Sequence, residues 1–424
     1  MLGHALGTSE VTRISACRAC GARELAPVIS LGHTPLANAL LTADAAETRE
    51  RLYPLEVVRC EACSLVQLTV SVSPEILFRR YPYQTSFSDA FVRHARDSVE
   101  ELLATLSWHG DRLAVEIASN DGYLLQFYRD AGIPVLGIEP AENIAKVAQD
   151  RGIETITQFF GRDLGAQLAA QGRRADVVHA NNVLAHVPDL NGVLAGIRSL
   201  LKADGLAAIE TPWLCDMVDR IEFDTIYHEH LYYFSLTALV TIFAAQGLRI
   251  VDVRHLDVHG GSLRVFAQRD DAPSTVPAEA GDRVRQLLAA ENEWGVAQEI
   301  RYARFADDVT QLKGKLMELL RSLRAQGRSI AAYGASAKGT TLLSYCGLTR
   351  ADIEYVVDRS TIKQGMLTPG TRLPIEAPAK LLERMPDYVL LLVWNFADEV
   401  IAQQSEYRRR GGRFIIPLPD PKIV

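Results

Sequence analysis

Apolar and polar positions change their periodicity along the chain, and each change predicts a different element. Near the N-terminus, LEVVRC alternates apolar and polar residues as a half-buried strand does, and from about Asp89 onward apolar residues recur at helical spacing. Short apolar runs such as RLAVEI, PVLGIEP, ADVVHAN and GLAAIETP then alternate with amphipathic stretches such as LNGVLAGIRSLLKADG. This alternation predicts parallel strands joined by helices, with ligand groups at the carboxyl ends of the strands.

A second alternation follows a long charged helical stretch from roughly Ala280 to Gln326, which we read as one helix or a helix pair bridging two domains. SIAAYGASAKGTTLLSYCGL, IEYVVDRS, YVLLLVWNF and RFIIPLPDP then restart the strand and helix rhythm. The pattern therefore predicts a second doubly wound unit.

Length, charge and the first residues narrow the class of protein. A chain of 424 residues is expected to form two or three domains, and the formal charge of −7 argues against nucleic acid as the main partner. No apolar run is long enough to cross a bilayer, and MLGHALGTSEVTR lacks the features of a signal or transit peptide. We therefore expect a cytoplasmic protein that does not bind membranes, and leave its oligomeric state open.

Four of the six cysteines form two CxxC pairs, CRAC and CEAC, separated by a turn-rich SLGHTPLANALL segment and a strand. Two such knuckles complete a tetrahedral all-sulfur Zn²⁺ site. Disulfides are disfavoured in the cytoplasm, and independent redox motifs would need a βαβ context that this segment lacks. Because four sulfur ligands leave no open position, we predict structural zinc bound by Cys17, Cys20, Cys60 and Cys63.

The first crossover of the central region, VEIASNDG followed by GIEP, predicts a nucleotide crevice. Gly122 lies at the helix start, but Ala118 and Asn120 stand where a dinucleotide fingerprint has glycine. Glu139 ends the next strand 23 residues after Glu116, near the spacing at which an acidic side chain meets ribose hydroxyls. An adenosine ligand without a diphosphate, such as S-adenosylmethionine, fits this loop better than a dinucleotide.

Polar residues also follow the later strands, at Asn181, Asn182, His186 and Glu210. Because the carboxyl ends of parallel strands share one edge, we expect these side chains to converge with Glu139. The predicted cofactor-binding set is Glu116, Ala118, Asn120, Asp121, Gly122, Glu139, Pro140, Asn181 and Asn182.

Three further motifs have open interpretations. Tyr81 and Tyr83 flank a proline and either form a packed turn or line a pocket at a domain junction. YHEH, residues 227–230, could bind a metal, move a proton or lie in a loop. YGASAKG lacks the full phosphate-loop pattern, yet backbone amides, Ser336 and Lys338 at a helix start suit an anionic ligand.

Taken in order, CRAC and CEAC, VEIASNDGYLL with GIEP, YHEHLYYFS, HGGSLRVFAQR, and YGASAKGTTLL with VWNF resemble the nucleotide-sugar C-methyltransferases over almost the whole chain. The resemblance implies a small zinc-binding domain, a central S-adenosylmethionine domain and a C-terminal Rossmann-like domain that contributes to nucleotide-sugar binding. It also implies methyl transfer to C-3 of a dTDP-linked 4-keto-deoxysugar through an enolate, in branched deoxysugar biosynthesis for antibiotics.

Residue roles follow from the same resemblance. It implies His230 as the base, Tyr227 and Glu229 as its neighbours, His186 as a second site histidine and Tyr81 as a pocket tyrosine. The predicted substrate-binding set is Tyr83, Gly334, Ser336, Lys338, Gly339, Arg359 and Asn395.

The predicted fold is α/β, with a small zinc-binding N-terminal domain followed by two Rossmann-like doubly wound domains, at residues 1–75, 76–272 and 273–424. An NAD-dependent nucleotide-sugar oxidoreductase or epimerase is the main alternative function. It would require the glycine fingerprint that YGASAKG does not supply.

Overall fold

The N-terminal unit is an antiparallel sheet with both CxxC pairs on its turns. The computed structural model describes residues 11–45, 47–78, 85–106, 112–258, 260–273 and 276–424, so the predicted site residues Tyr81 and Tyr83 lie outside the described residues. The strands are β1 Val11–Arg13, β2 Leu25–Thr34, β3 Tyr53–Cys60, β4 Val66–Leu68 and β5 Val70–Val72. β2, β3 and β4 pair antiparallel, and β1 pairs with β5. SLGHT completes β2 instead of forming a turn, through a register shift beside Gly32, whose φ is +79°.

The central unit is a doubly wound sheet. Its elements are α1 Pro74–Phe78, α2 Asp89–Thr105, β6 Ala114–Ile117, α3 Leu125–Asp130, β7 Val135–Ile138, α4 Glu142–Asp150, β8 Thr155–Ile156, α5 Arg162–Ala170, β9 Ala175–Asn181, α6 Leu190–Leu200, β10 Leu201–Pro212, α7 Leu214–Asp219, β11 Tyr232–Tyr233, α8 Leu236–Ala245, β12 Leu248–Leu256 and β13 Ser262–Arg269. The sheet order is β12-β13-β10-β9-β6-β7-β8, with β13 antiparallel to both of its neighbours and the strands from β10 to β8 parallel. Val115 and Ile117 pack on one face and Ala114 on the other, as expected of a sheet covered by helices on both sides.

One strand of this region joins the other sheet. β11 pairs antiparallel with β4 of the N-terminal unit, placing Tyr232 opposite Gln67 and Tyr233 opposite Val66. The backbone N–H of Leu68 also donates to the carbonyl of Leu231 at 2.9 Å. YHEH therefore lies between the central sheet and the sheet that carries the cysteines.

The long charged stretch forms two helices, α9 Ala278–Trp294 and α10 Glu299–Ala325, separated by a turn with Gly295 at a φ of +93°. Arg283 of α9 binds Asp252 of β12 through two hydrogen bonds of 2.7 Å. Buried Glu291 accepts backbone N–H groups from Leu236 and Thr237 at the start of α8, at 2.6 and 2.7 Å. α9 therefore packs on the central unit.

The C-terminal unit is a second, mostly parallel sheet. Its elements are β14 Ile330–Tyr333, α11 Ala337–Cys346, β15 Val356–Val357, β16 Ile375–Glu376, α12 Lys380–Arg384, β17 Tyr388–Leu391, α13 Ala397–Gln403, α14 Ser405–Arg409, β18 Arg413–Ile416 and β19 Lys422–Ile423. The order is β16-β15-β14-β17-β18-β19, and β19 alone of these strands is antiparallel. The α/β fold class predicted above is confirmed, while the three domain limits stay predictions.

The N-terminal unit also contacts the C-terminal one. Leu41 and Leu367 exchange two backbone hydrogen bonds of 3.0 and 2.8 Å, and the Thr340 hydroxyl donates to the Ala37 carbonyl at 2.9 Å. The Thr341 hydroxyl of α11 also donates to the Ile226 carbonyl at 3.2 Å, so both outer units contact the segment that follows α7. Within the described ranges, none of the helices combines the length and the apolar character that crossing a bilayer requires.

Candidate active site

A cavity of about 770 Å³ lies where the three units meet. The predicted site residues that line it are Ala118, Asn120, Glu139, Pro140, Asn181, Asn182, His186, Tyr227, His230, Ser336, Lys338, Arg359 and Asn395. Glu210, expected to converge with them, lines it too. Predicted site residues of the described segments that do not line it are Glu116, Asp121, Gly122, Glu229, Gly334 and Gly339.

The loop after β6 holds the backbone in unusual conformations. Ala118 and Asn120 have positive φ values of 52° and 48°, and Asn182 after β9 has 56°. Left-handed conformations are unfavourable for residues with a Cβ and concentrate at ligand sites. Three of them at one edge of the sheet support a ligand crevice there.

Glu139 connects this loop to the next strand. Its carboxylate accepts the backbone N–H of Asn120 at 2.9 Å and that of Ala141 at 2.8 Å. Burial raises its pKa, and the two backbone donors oppose that shift. Because each carboxylate oxygen has a second lone pair, Glu139 can also accept hydrogen bonds from ribose hydroxyls.

Glu116, Asp121 and Gly122 shape the loop from behind. Burial, followed by the charges of Asp121 and Glu139, raises the pKa of Glu116 well above its ordinary value. Asp121 accepts the Ser86 hydroxyl and pairs with Arg151 at 3.1 Å. Gly122 has a φ of +80°, and a Cβ there would lie 2.9 Å from Ile153, so only glycine fits without a shift.

Three polar side chains meet at the end of β10, and of these the sequence analysis identified Glu210 alone. Arg264 of β13 pairs with Glu210 at 3.0 Å, and Nε2 of His94 on α2 lies 2.8 Å from the same carboxylate. Phe91, one helical turn before His94, also lines the cavity, as does the partly exposed Phe159. The spacing of Phe91 and His94 on one helix face is the signal that could have identified them.

His230 is held through both ring nitrogens. Nδ1 lies 2.8 Å from the carbonyl of Thr225, and Nε2 lies 2.7 Å from the hydroxyl of Tyr227. A carbonyl can only accept, so in the neutral ring Nδ1 carries the proton and Nε2 accepts from Tyr227. This arrangement leaves Nε2 as the basic atom, on the side of the ring that Tyr227 faces.

A second histidine adjoins this pair. The rings of His186 and His230 lie 4.8 Å apart at 67°. Desolvation lowers the pKa of His186 to about 4, against the opposing effect of a hydrogen bond with the Glu229 backbone, so its ring is neutral near pH 7.

His228 and Glu229 do not line the cavity. His228 is buried, with Nε2 3.3 Å from the Pro54 carbonyl and its ring edge-on to Tyr53. Glu229 accepts the side-chain N–H of Asn38 at 2.7 Å, and burial raises its pKa to about 7 against the opposing effects of Asn38 and Lys363. His228 therefore anchors the segment to the N-terminal unit, while Glu229 supports it through Asn38, which does line the cavity.

The C-terminal wall of the cavity is cationic. Every lysine and arginine that lines the cavity among the described residues belongs to this unit, namely Lys338, Arg359 and Lys363. Ser336 caps α11 by accepting the N–H of Gly339 at 3.0 Å. The acidic residues that line the cavity are Glu139 and Glu210 of the central unit and Asp358 of the C-terminal unit, so in the C-terminal unit three cations outnumber one carboxylate.

Gly334 and Gly339 allow α11 to approach β17 closely. Gly334 has a φ of +94°, and a Cβ there would meet the side chain of Val393 at 2.5 Å. A Cβ on Gly339 would lie 2.8 Å from Leu392. Both glycines therefore set the position of the helix start, and their predicted contact with substrate stays a prediction.

The four cysteine sulfurs form a compact group. Sγ of Cys17 lies 3.7 Å from that of Cys63, Sγ of Cys20 lies 3.5 Å from that of Cys60, and all four lie within 4.8 Å of one another. Tetrahedral Zn–S bonds of about 2.3 Å place sulfurs about 3.8 Å apart, so the set fits Zn²⁺. Within the described segments, these four cysteines are the one group of His, Cys, Asp and Glu side chains whose geometry fits a metal ion. No residue of YHEH belongs to it.

Comparison with known proteins assigns the family. Domain families match the chain as a zinc binding domain at residues 17–78, a methyltransferase domain at 91–253 and a C-methyltransferase C-terminal domain at 257–419. C-methyltransferase NovU of Streptomyces niveus is 41% identical over 414 residues, which are 98% of each chain. This chain belongs to the C-methyltransferase family that includes NovU.

Other matches cover parts of this C-methyltransferase. A ubiquinone biosynthesis O-methyltransferase of Bordetella avium is 29% identical over 115 residues, 27% of this chain and 46% of that protein. The CcbJ methyltransferase structure from Streptomyces caelestis is 14% identical with a TM-score of 0.35, covering 42% of this chain and 90% of that one. The family assignment therefore rests on the full-length relative and the three domain matches.

The family and the site agree on the cofactors. This C-methyltransferase is S-adenosylmethionine-dependent and has a zinc site of four cysteines. The residues that fit the cofactor are Glu139 and the strained loop of Ala118 and Asn120. The roles of individual site residues, including Tyr81 and Tyr83, stay predictions.

Proposed function

We propose that this C-methyltransferase methylates C-3 of a dTDP-linked 4-keto-deoxysugar through base-catalysed enolate formation, as a step of branched deoxysugar biosynthesis for an antibiotic. The observation that supports it most is the division of charge in the cavity. Two carboxylates of the central unit line the cavity, three cations and one carboxylate of the C-terminal unit line it as well, and His230 lies between the units. A sulfonium cofactor suits the first wall, and a nucleoside diphosphate suits the second.

The cationic wall would bind the diphosphate. Lys338 and Arg359 line the cavity beside the start of α11, where backbone N–H groups and the helix dipole also favour an anion. Lys363 donates to the Ala335 carbonyl at 2.8 Å and so holds the loop before that helix. The dTDP and 4-keto features come from the motif resemblance, since charge alone does not distinguish nucleotides.

His230 would act as the base. Once the Tyr227 hydroxyl turns from Nε2 towards the substrate, Nε2 takes the proton from C-3 and the electron pair passes to the C-4 oxygen, while the Thr225 carbonyl stabilises the resulting imidazolium through Nδ1. Tyr227 or neutral His186 donates a hydrogen bond to the developing oxyanion, which an imidazole base alone cannot stabilise sufficiently. Bound S-adenosylmethionine supplies the electrophilic methyl group. The protein aligns C-3 with it and excludes competing water.

Incubation with labelled S-adenosylmethionine and a panel of nucleotide sugars tests this proposal. The panel contains dTDP-4-keto sugars that differ at C-3, their UDP analogues and a dTDP sugar without a ketone. We expect label in the dTDP-4-keto sugars, little label in their UDP analogues and none in the sugar without a ketone, with mass spectrometry locating the new methyl group at C-3. Transfer to oxygen, or transfer to a sugar without a ketone, would overturn the enolate route.

Replacing His230 by asparagine separates its role from binding. We expect turnover to fall by about a thousandfold or more, while cofactor binding measured by calorimetry stays within about twofold. The matched control is His228→Asn, which alters the neighbouring buried histidine that does not line the cavity. Near wild-type turnover of the His230 variant would exclude it as the base.

A further inference from the structure

A buried hydrogen bond joins the C-terminal unit to the turn that holds His230. The indole N–H of Trp394 donates to Asp224 Oδ2 at 2.7 Å. Asp224 is completely buried and lies in the one-turn 3-10 helix Phe223–Thr225. The next residue, Thr225, supplies the carbonyl that accepts Nδ1–H of His230 at 2.8 Å.

The turn has little other polar support from the C-terminal unit. Phe223 packs against Tyr345 of α11 with ring centroids 5.2 Å apart, and the Thr341 hydroxyl donates to the Ile226 carbonyl at 3.2 Å. Local hydrogen bonds to the Glu222 carbonyl, from the backbone and hydroxyl of Thr225, close the turn itself. Among the described contacts, the Trp394 bond is thus the shortest polar link between this turn and the C-terminal unit.

The surroundings of Asp224 make this bond costly to lose. Its other oxygen has no hydrogen-bond partner among the described residues, and the nearby charged groups are Lys338 and Glu222. The Lys338 ammonium itself lies 4.7 Å from the centre of the Trp394 ring. A buried carboxyl that loses its donor must shift or change protonation, and either change would displace the turn.

We propose that Trp394 and Asp224 are positioning residues for His230, through which the C-terminal unit fixes the orientation and basicity of that imidazole. The inference rests on the proposed role of His230 as the base. Trp394 acts through Asp224 and the Thr225 carbonyl, while His230, flanked by Tyr227 and His186, contacts the substrate. The C-terminal unit then contributes to the chemical step as well as to substrate binding.

Trp394→Phe, which keeps an aromatic ring but removes the N–H donor, tests the proposal. We expect kcat to fall about tenfold, with KM and cofactor Kd within about twofold, because a misaligned base affects the transition state more than binding. Loosening the Thr225 contact destabilises the imidazolium, so the acidic limb of the kcat profile should move to lower pH by about 0.5 unit. Trp294→Phe is the matched control, because Trp294 donates to Asp219 at 2.9 Å away from the cavity.

Two variants of Asp224 show whether the effect passes through this residue. Asp224→Asn keeps an oxygen for the Trp394 donor and should retain at least about half of kcat, whereas Asp224→Ala should lose about tenfold. In the double variant Trp394→Phe with Asp224→Ala, the second change should add less than about twofold. If Trp394→Phe does not fold, the contrast between Asn and Ala at position 224 still decides the question.

Several outcomes would overturn the inference. These are a Trp394 variant that behaves like the Trp294 control, a loss confined to KM, multiplying effects in the double variant, or Asn and Ala at 224 losing activity equally. The His230→Asn enzyme measured alongside distinguishes failures. If the His230→Asn variant is active, His230 is not the base. If that variant is inactive but Trp394→Phe has normal activity, only this inference is wrong.

Discussion

The two parallel sheets share a carboxylate at the same topological position but surround it with opposite charge. In the central sheet, Glu139 after the second strand accepts the backbone N–H of Asn120 in the first crossover loop at 2.9 Å. In the C-terminal sheet, Asp358 after β15 accepts the N–H of Ala335 in the equivalent loop at 2.7 Å. Each carboxylate also binds its own loop, at Ala141 and Ser360 respectively.

What differs is the wall around each carboxylate. The cavity-lining residues of the central unit include amides, histidines and carboxylates, whereas Lys338, Arg359 and Lys363 all belong to the C-terminal unit. The central loop also has positive φ values at Ala118 and Asn120, while the C-terminal loop uses glycine at position 334. The same fold can therefore form a crevice for a cationic ligand in one sheet and a crevice for an anionic ligand in the other, because the residues around the carboxylate differ.

The segment from Asp224 to His230 lies where these two crevices meet. The C-terminal unit holds it through Trp394, and the N-terminal unit holds it through β11 and through Asn38. Under the proposed function, the methyl donor lies on one side of this segment, the anionic substrate lies on the other, and the base lies between them. The comparison therefore predicts that substitutions in the central unit weaken cofactor binding, whereas substitutions in the C-terminal unit weaken substrate binding.

Replacing Glu139 by alanine should have the largest effect. If its carboxylate accepts ribose hydroxyls, loss of two charge-assisted hydrogen bonds, each worth roughly 1.5–3 kcal/mol, should weaken S-adenosylmethionine binding by about a thousandfold. Calorimetry with the cofactor and with dTDP measures the affinity of each of the two crevices in the same variant. Asp358→Ala is the matched control and should leave cofactor Kd within about threefold; equal losses in the two variants would break the comparison.

Glu229, at the boundary, should make stability depend on pH. Its folded pKa of about 7 exceeds the ordinary value of 4.5, so its stabilising contribution is fully present below pH 4.5 and is lost as pH rises towards 7. The shift corresponds to at most about 3 kcal/mol. Urea unfolding should show the difference between wild type and Glu229→Gln changing by about 1–3 kcal/mol over that range.

Asp224 and Glu222 also have raised pKa values, so the prediction concerns this difference and not the wild-type curve alone. Lys363→Met removes a charge that lowers the pKa of Glu229, so it should move the transition to higher pH. A difference between wild type and Glu229→Gln that is constant with pH would mean that folding does not shift the pKa of Glu229.

Lys338→Met should weaken binding of the nucleotide sugar without changing binding of the cofactor. Removing a charge-assisted contact to phosphate should raise the KM of the nucleotide sugar about 20-fold and weaken its dependence on salt. Cofactor Kd should stay within about twofold. Lys313→Met is the matched control, because Lys313 also lies over an aromatic ring, that of Tyr345 at 4.4 Å, but does not line the cavity. A rise in cofactor Kd for Lys338→Met would contradict the division of ligands.

Local patterns predicted much of this architecture. The CxxC spacing identified the zinc ligands, and the strand and helix rhythm identified two doubly wound sheets, because both signals lie within short stretches of sequence. The rule that ligand groups gather at strand ends placed Glu139, Asn181 and Glu210 around one cavity.

Contacts between distant segments were not predictable from such patterns. The pairing of β11 with β4 joins residues far apart in the chain, and so does the bond from Trp394 to Asp224. Arg264 and His94 looked like ordinary polar residues of a strand and a helix until packing placed them beside Glu210. Tertiary structure, and not local sequence, decides these positions, and the contact of His228 with Pro54 is a further example.

Arg359→Ala should have the smallest effect, and it tests how far the cationic wall extends towards solvent. Arg359 lines the cavity but pairs with Glu399 at 3.6 Å, with 58% and 47% of the two side chains exposed, so the ion pair is screened and Tm should stay within about 1 °C. A solvated cation at the rim should still attract a diphosphate, raising substrate KM about threefold at low salt and less at high salt. If KM rises equally at all salt concentrations, Arg359 contacts the phosphate directly, and the cationic wall extends from Lys338 to the mouth of the cavity.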